Sequence, residues 1–289
     1  MATEPLALPS SYSANELSAL DALESRPRPR LGLPLRAWRA LWPRLAAVAI
    51  ALGAWQLVVL SGWRPDYLLP GPFPVLGRLA ADLAQPVFYG AVATTLERAL
   101  WGYALAIVLG AGVGVLVARN PILRSAVGSL ITGLQSMPSI AWFPLAILLF
   151  GLSEGAIGFV VLLGAAPAIA NGLISGIDQV PPLLLRSGRA MGAGRVQLFL
   201  HVLLPASLPA FIGGLKQGWA FAWRSLMAGE LLVIVSNHPS LGVRLQLARE
   251  TADAEGLLAA MLVVLIIGMT VEVVFSSVDG TVRRRRGLV

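Results

Sequence analysis

Long apolar runs separated by short charged stretches dominate the chain, and their lengths predict membrane-crossing helices. A bilayer core takes about 20 apolar residues per helix. Six runs reach that size, at residues 45–63, 89–118, 125–153, 155–177, 202–235 and 256–278. The second carries Glu97 and Arg98 in its first part. The third has no charge, but Pro138 and Pro144 interrupt it. The fifth carries Lys216, Arg224 and Glu230, and the sixth carries Glu272 near its end. These runs predict an all-α integral membrane protein with six transmembrane helices over residues 45–280.

Three other stretches have patterns of their own. Residues 35–44 place Trp38, Leu41 and Trp42 among Arg36, Arg39 and Arg44, which predicts an amphipathic helix along the inner membrane interface. Residues 72–85 begin with Pro72 and Pro74 and predict a short external helix. Residues 178–204 are too polar to span. Pro181 and Pro182 suit a helix start, and residues 183–191 fit a short helix. Gly192 and Gly194 flank Ala193 and permit a tight turn. Residues 195–204 fit a second short helix, with Val196, Phe199 and Leu203 on one face. Such a hairpin is either a working lever or a re-entry that only connects two spans. No inverted repeat of the kind found in many secondary transporters is visible by eye.

Charge fixes the expected orientation. Hydrophobic residues make up 56% of the chain and charged ones 13%, too few charges for a soluble protein of this length. The net charge is +7, and Lys216 is the one lysine. With the N-terminus inside and six spans, fifteen arginines fall in cytoplasmic segments and four in external ones. That is the positive-inside pattern, and it accounts for the basic excess without nucleic acid. Arg283 to Arg286 then lie in a basic cytoplasmic C-terminus, residues 281–289. Residues 1–34, polar and rich in proline and arginine, are expected to be a mobile cytoplasmic tail rather than a cleaved signal. There is no cysteine, and His201 and His238 are too few and too far apart for a histidine-rich metal site. No catalytic cluster of paired carboxylates or histidines is visible, which disfavours a membrane-embedded enzyme.

The loop carries a resemblance. Arg186-Ser187-Gly188-Arg189-Ala190-Met191-Gly192, then nine residues, then Val202-Leu203-Leu204-Pro205, resembles the Glu-Ala-Ala loop of permease subunits of bacterial ATP-binding-cassette importers. The glycine, the gap and the Leu-Pro ending match, as does Arg195-Val196-Gln197-Leu198-Phe199. Arg186 departs, standing where the pattern has glutamate, and Ser187-Gly188 replace Ala-Ala. Residues 134–145 with Phe150-Gly151, and residues 214–219 through Trp223-Arg224 to Gly229-Glu230, look like the branch for aliphatic sulfonates, taurine and nitrate.

The resemblance implies a type I importer permease fold in a bacterial inner membrane, multi-pass, with both termini cytoplasmic. It implies a second permease copy in a homodimer, two cytoplasmic ATPase subunits that bind ATP and Mg²⁺, and an external substrate-binding protein. It implies that Arg186 to Arg195, with Ala193 and Gly194, form the ATPase-coupling hairpin. The chain has no phosphate loop of its own, so no ATPase site and no cofactor are expected in it.

Candidate pathway residues follow from polar groups in apolar runs, which face a partner or a wet cavity. Arg224 fits a station for an oxyanion, because guanidinium matches sulfonate or carboxylate geometry; an internal ion pair is the other reading. Arg224 and Glu230 stand about 240° apart around a helix, so each needs its own partner. Trp219 and Trp223 share a face and either line the pathway or pack. Gln135, Ser136 and Met137 lie beside Pro138 in a broken helix, which is tolerated where backbone lines a cavity. The expected substrate is a small oxyanion, aliphatic sulfonate first, with nitrate, bicarbonate or a vitamin precursor as alternatives. An ion-coupled secondary transporter working alone is the rival class.

Overall fold

The computed structural model of the chain describes residues 33–235 and 238–285, and among them every regular element is helical. The chain divides into a unit ending at Leu60 and a second unit beginning at Ser61.

The first unit contains α1 (Leu33–Leu60), a single unbroken helix. The expected separate helix at 35–44 is thereby corrected: those residues are the opening turns of the helix that contains the first span. Pro43 lies inside it and removes one amide donor. Leucine, alanine and arginine on both sides are strong helix formers and carry the helix through. The expected mobile tail lies outside the described residues except for its last two positions, which are helical.

The second unit runs α2 (Pro72–Leu83), α3 (Pro86–Arg119), α4 (Pro121–Ser136), a 3₁₀ turn (Ser139–Trp142) and α5 (Phe143–Phe150). It continues with α6 (Glu154–Asp178), α7 (Pro182–Ala190), α8 (Arg195–Leu198), a π-helical turn (Phe199–Leu203) and α9 (Leu204–Leu232). It ends with α10 (Leu241–Glu250) and α11 (Ala254–Arg285). The basic C-terminal residues up to Arg285 thus continue the last helix, with no break at residue 280.

Among the described residues, five helical stretches are long and apolar enough to cross a membrane: Leu41–Leu60 of α1, α3, α6, Arg195–Leu232 and α11. The sixth expected span is the pair α4 and α5, bent by 102°. Proline explains the bend. Pro138 has no amide hydrogen, and it forces Met137 into an extended conformation with ψ 127°. Pro144 then sits in the first turn of α5, where its missing donor costs nothing.

α6 lies between α3 and α9. Lipid tails are as apolar as leucine, so spans associate through close packing of small residues. Gly172 of α6 meets Gly214 of α9, where an added Cβ would stand 2.4 Å from the Gly214 Cα. Gly110 of α3 approaches α6 so closely that its Cβ would stand 2.6 Å from the Ala166 carbonyl oxygen. Around these crossings Tyr103, Ile157, Val160, Ile169, Trp219 and Leu226 are buried. Leu100, Trp101 and Val108 of α3 point outward and are exposed, as a lipid-facing surface requires.

Candidate functional site

Three places hold the residues singled out from the sequence: the hairpin, a buried ionic knot at the opposite end of α6, and two cavities that meet at Arg224.

The hairpin is built by local rules. α7 starts at Pro182 in its first turn and ends at Ala190. Gly192 adopts φ +84°, a left-handed conformation that favours glycine. The Ala193 amide donates to the Gly188 carbonyl at 3.0 Å and the Gly192 amide to the Arg189 carbonyl at 2.9 Å. This is a Schellman closure, and it satisfies carbonyls that the helix end leaves open. The Gly194 amide donates to Gln197 Oε1 at 2.9 Å and so caps the second arm. The arms touch at Gly188, where a Cβ would stand 2.5 Å from a Leu198 methyl.

The second arm differs from expectation. Instead of a separate short helix, it runs through the π turn directly into α9. Pro205 lacks the amide that would bond residue 201, and a wider turn accommodates it. The buried residues of this arm are Leu198 and Phe199, whereas Val196 is exposed, so the expected inner face is shifted. Arg119, at the end of α3, lies over the Phe199 ring with its guanidinium 4.0 Å from the centroid. Arg124 pairs with Asp178 beside it.

Glu230 corrects a second expectation. Grouped on the sequence with the pathway residues, it is fully buried and lines none of the described cavities. Its carboxylate accepts from the Thr95 hydroxyl at 2.9 Å, Arg98 Nη1 at 2.9 Å and the Gly242 amide at 2.9 Å. Arg98 also forks onto Glu154, with contacts of 2.7 and 2.5 Å. Gly242 lies in the first turn of α10, so Glu230 places a negative charge at a helix N-terminus. Any side chain at 242 would collide with Glu230, since its Cβ would stand 2.2 Å away. Arg98 thus ties α3 to α9 through Glu230 and to the start of α6 through Glu154. The pattern of the chain gives no hint of Thr95, Glu154 or Gly242 as members of the knot. For α10 a local signal exists in Ser240, whose side chain caps the helix by accepting from the Val243 amide.

Arg224 joins the other pathway candidates. Gln135, Ser136, Met137, Ser139 and Arg224 line a cavity of about 330 Å³ between the α4–α5 break, α6 and α9. Trp219, Trp223, Leu245, Gly268 and Glu272 line a second, of about 460 Å³, with Arg224 again in its wall. Among the described residues Arg224 makes no hydrogen bond or ion pair; its guanidinium rests 5.3 Å from the Phe221 ring. Lys216, by contrast, is held by Glu272 at 2.7 Å and Ser276 at 3.1 Å. Gln135 donates to the Pro167 carbonyl at 2.8 Å, tying the break to α6. Trp219 and Trp223 pack and also face a cavity. They stack 6.0 Å apart in the core, and they also form one wall of the larger cavity.

Comparison with known proteins agrees with this architecture. The chain is 27% identical over 247 residues to the taurine transport system permease protein TauC of Escherichia coli, covering 81% of this chain and 88% of that one. It is 26% identical over 196 residues to the nitrate import permease protein NrtB of Synechocystis, covering 65% and 70%. It is 29% identical over 237 residues to the riboflavin transport system permease protein RibX of Chloroflexus aurantiacus, covering 80% and 87%. In fold it matches a chain of the inward-facing MetNI methionine ABC transporter, with a TM-score of 0.59 at 21% identity over 68% of this chain and 96% of that one. A family model described as the binding-protein-dependent transport system inner membrane component matches residues 81–287. The chain therefore belongs to that family, the membrane-embedded permease subunits of ABC importers.

Proposed function

We propose that this permease subunit forms the translocation pathway for a small oxyanion, aliphatic sulfonate first. Arg224 carries the reading. An ionisable group on a span needs a partner or a wet cavity, and Arg224 has no carboxylate partner among the described residues while standing in the wall of two cavities. A planar guanidinium suits the oxygens of a sulfonate. In this reading two copies of the chain pair, an external binding protein delivers the substrate, and two ATPase subunits beneath hold ATP and Mg²⁺. The termini and the 183–200 hairpin are cytoplasmic, and closure of the ATPases drives the hairpins together. ATP can switch the pathway only if its two states differ in their ATPase contacts.

The relatives named for nitrate and riboflavin define the second reading, in which the pathway tolerates several substrates and the binding protein selects among them. The reconstituted complex in liposomes separates the two. Arg224→Gln should depress ATP-dependent methanesulfonate uptake by about tenfold or more, the worth of a charge-assisted hydrogen bond. Unchanged uptake would leave the second reading standing, and transport by this chain without an ATPase would sink both.

A further inference from the structure

The hairpin surface is basic and unpaired. Residues 179–205 contain Arg186, Arg189 and Arg195 and no aspartate or glutamate. All three arginines are exposed, and among the described residues none has an ion pair. The nearest carboxylate in the sequence, Asp178, is held by Arg124. Large apolar side chains stand out on the same hairpin: Met191 is 81% exposed and Leu183 71%. Exposed apolar side chains alongside unpaired charge, on a hairpin whose turn is closed by its own hydrogen bonds, make a preformed docking surface.

We infer that the hairpin recognises an ATPase subunit whose docking cleft is acidic, and that Arg186 and Arg189 select that subunit by charge. The inference rests on the importer reading above. The permease loops this one resembles have glutamate where Arg186 stands, so an ATPase suited to them meets a charge of the opposite sign here. Complementary charges accelerate encounter and exclude wrong partners, because like charges brought together cost several kcal/mol. A purely lipid-binding role would also use arginine. It would not need a rigid turn or a methionine held out at its tip.

Association of the purified ATPase with the permease in nanodiscs, measured over a salt series, tests the inference. Wild-type affinity should fall steeply with salt, and Arg186→Glu or Arg189→Glu should each weaken it by about tenfold or more at low salt. A photo-crosslinking residue at position 186 should map to a segment of the ATPase that carries aspartate or glutamate. Both positions are exposed, so the variants should keep the membrane fold. Unchanged affinity in both charge-reversal variants would overturn the inference, as would crosslinks to a site without carboxylates. It would also fall if the variants changed only the dependence on anionic lipid. Wild-type permease that binds no ATPase at any salt would bring down the importer reading along with it. Salt-insensitive binding would bring down the inference alone.

Discussion

At the residue scale, Glu230 and Arg224 lie on the same helix and have different surroundings. Burying a carboxylate costs several kcal/mol unless donors surround it, and Glu230 has Thr95, Arg98 and Gly242 around it. Among the described residues, Arg224 has no polar partner and rests on the face of Phe221. Their substitutions should therefore separate stability from transport. Glu230→Gln puts an amide donor against donors and leaves Arg98 with Glu154 alone. It should cost on the order of 3 kcal/mol, the scale for breaking a buried pair, and lower the melting temperature of the solubilised protein. Arg224→Gln should leave the melting temperature close to wild type. A Glu230→Gln protein that melts like wild type would mean the knot is not what holds α10 in place. The sequence makes part of this readable. Ionisable residues in an apolar run announce themselves, and their angular separation requires two different partners. The identity of those partners is set by tertiary packing, because Thr95 and Arg98 lie on another helix more than a hundred positions away.

At the element scale, the hairpin is the most legible feature, since its rules are local. Proline at a helix start, glycine at a left-handed turn and a fixed gap to Leu-Pro need no distant residue. The second arm is less legible. Its continuation through a π turn into α9 depends on where Pro205 falls against the preceding carbonyls and on Phe199 being held under Arg119. α10 is less legible because it is short and its buried stripe of Leu241, Leu245 and Ala248 is blurred by the exposed Leu247, and it is fixed from outside by Glu230. The turn at Gly192 makes a graded prediction. Gly192→Ala should cost about 1–2 kcal/mol locally, the penalty for a left-handed residue with a Cβ. Gly192→Pro also removes the donor to the Arg189 carbonyl and cannot adopt a positive φ. It should abolish stimulation of ATP hydrolysis by the loaded binding protein while the spans stay folded. Normal stimulation in Gly192→Pro would show the hairpin to be a connector only.

At the scale of the whole molecule, the question is whether the bent pair α4 and α5 crosses the bilayer or turns back within it. Its ends point to a crossing. α4 begins where Arg124 pairs with Asp178, the last residue of α6. α5 ends at Phe150, just before Glu154, the first residue of α6, which joins the knot with Arg98. Since α6 is 25 residues long, these ends stand about 37 Å apart along its axis, so the pair runs the full length of α6 despite its 102° bend, as a crossing requires. A re-entrant pair would leave five spans and put Arg283 to Arg286 on the external side, against the positive-inside bias. Accessibility labelling separates the two cases, and a chain with no cysteine is ready for it. Tyr67→Cys and Met191→Cys replace exposed residues, at 73% and 81%, separated by α3, the bent pair and α6. If the pair crosses, three spans intervene and the two cysteines react from opposite faces, the one at position 67 from outside and the one at 191 from the cytoplasm. If it turns back, only two intervene and both react from the same face. That outcome would remove the sixth span, and reactivity at 191 from outside would take the hairpin out of reach of any cytoplasmic ATPase.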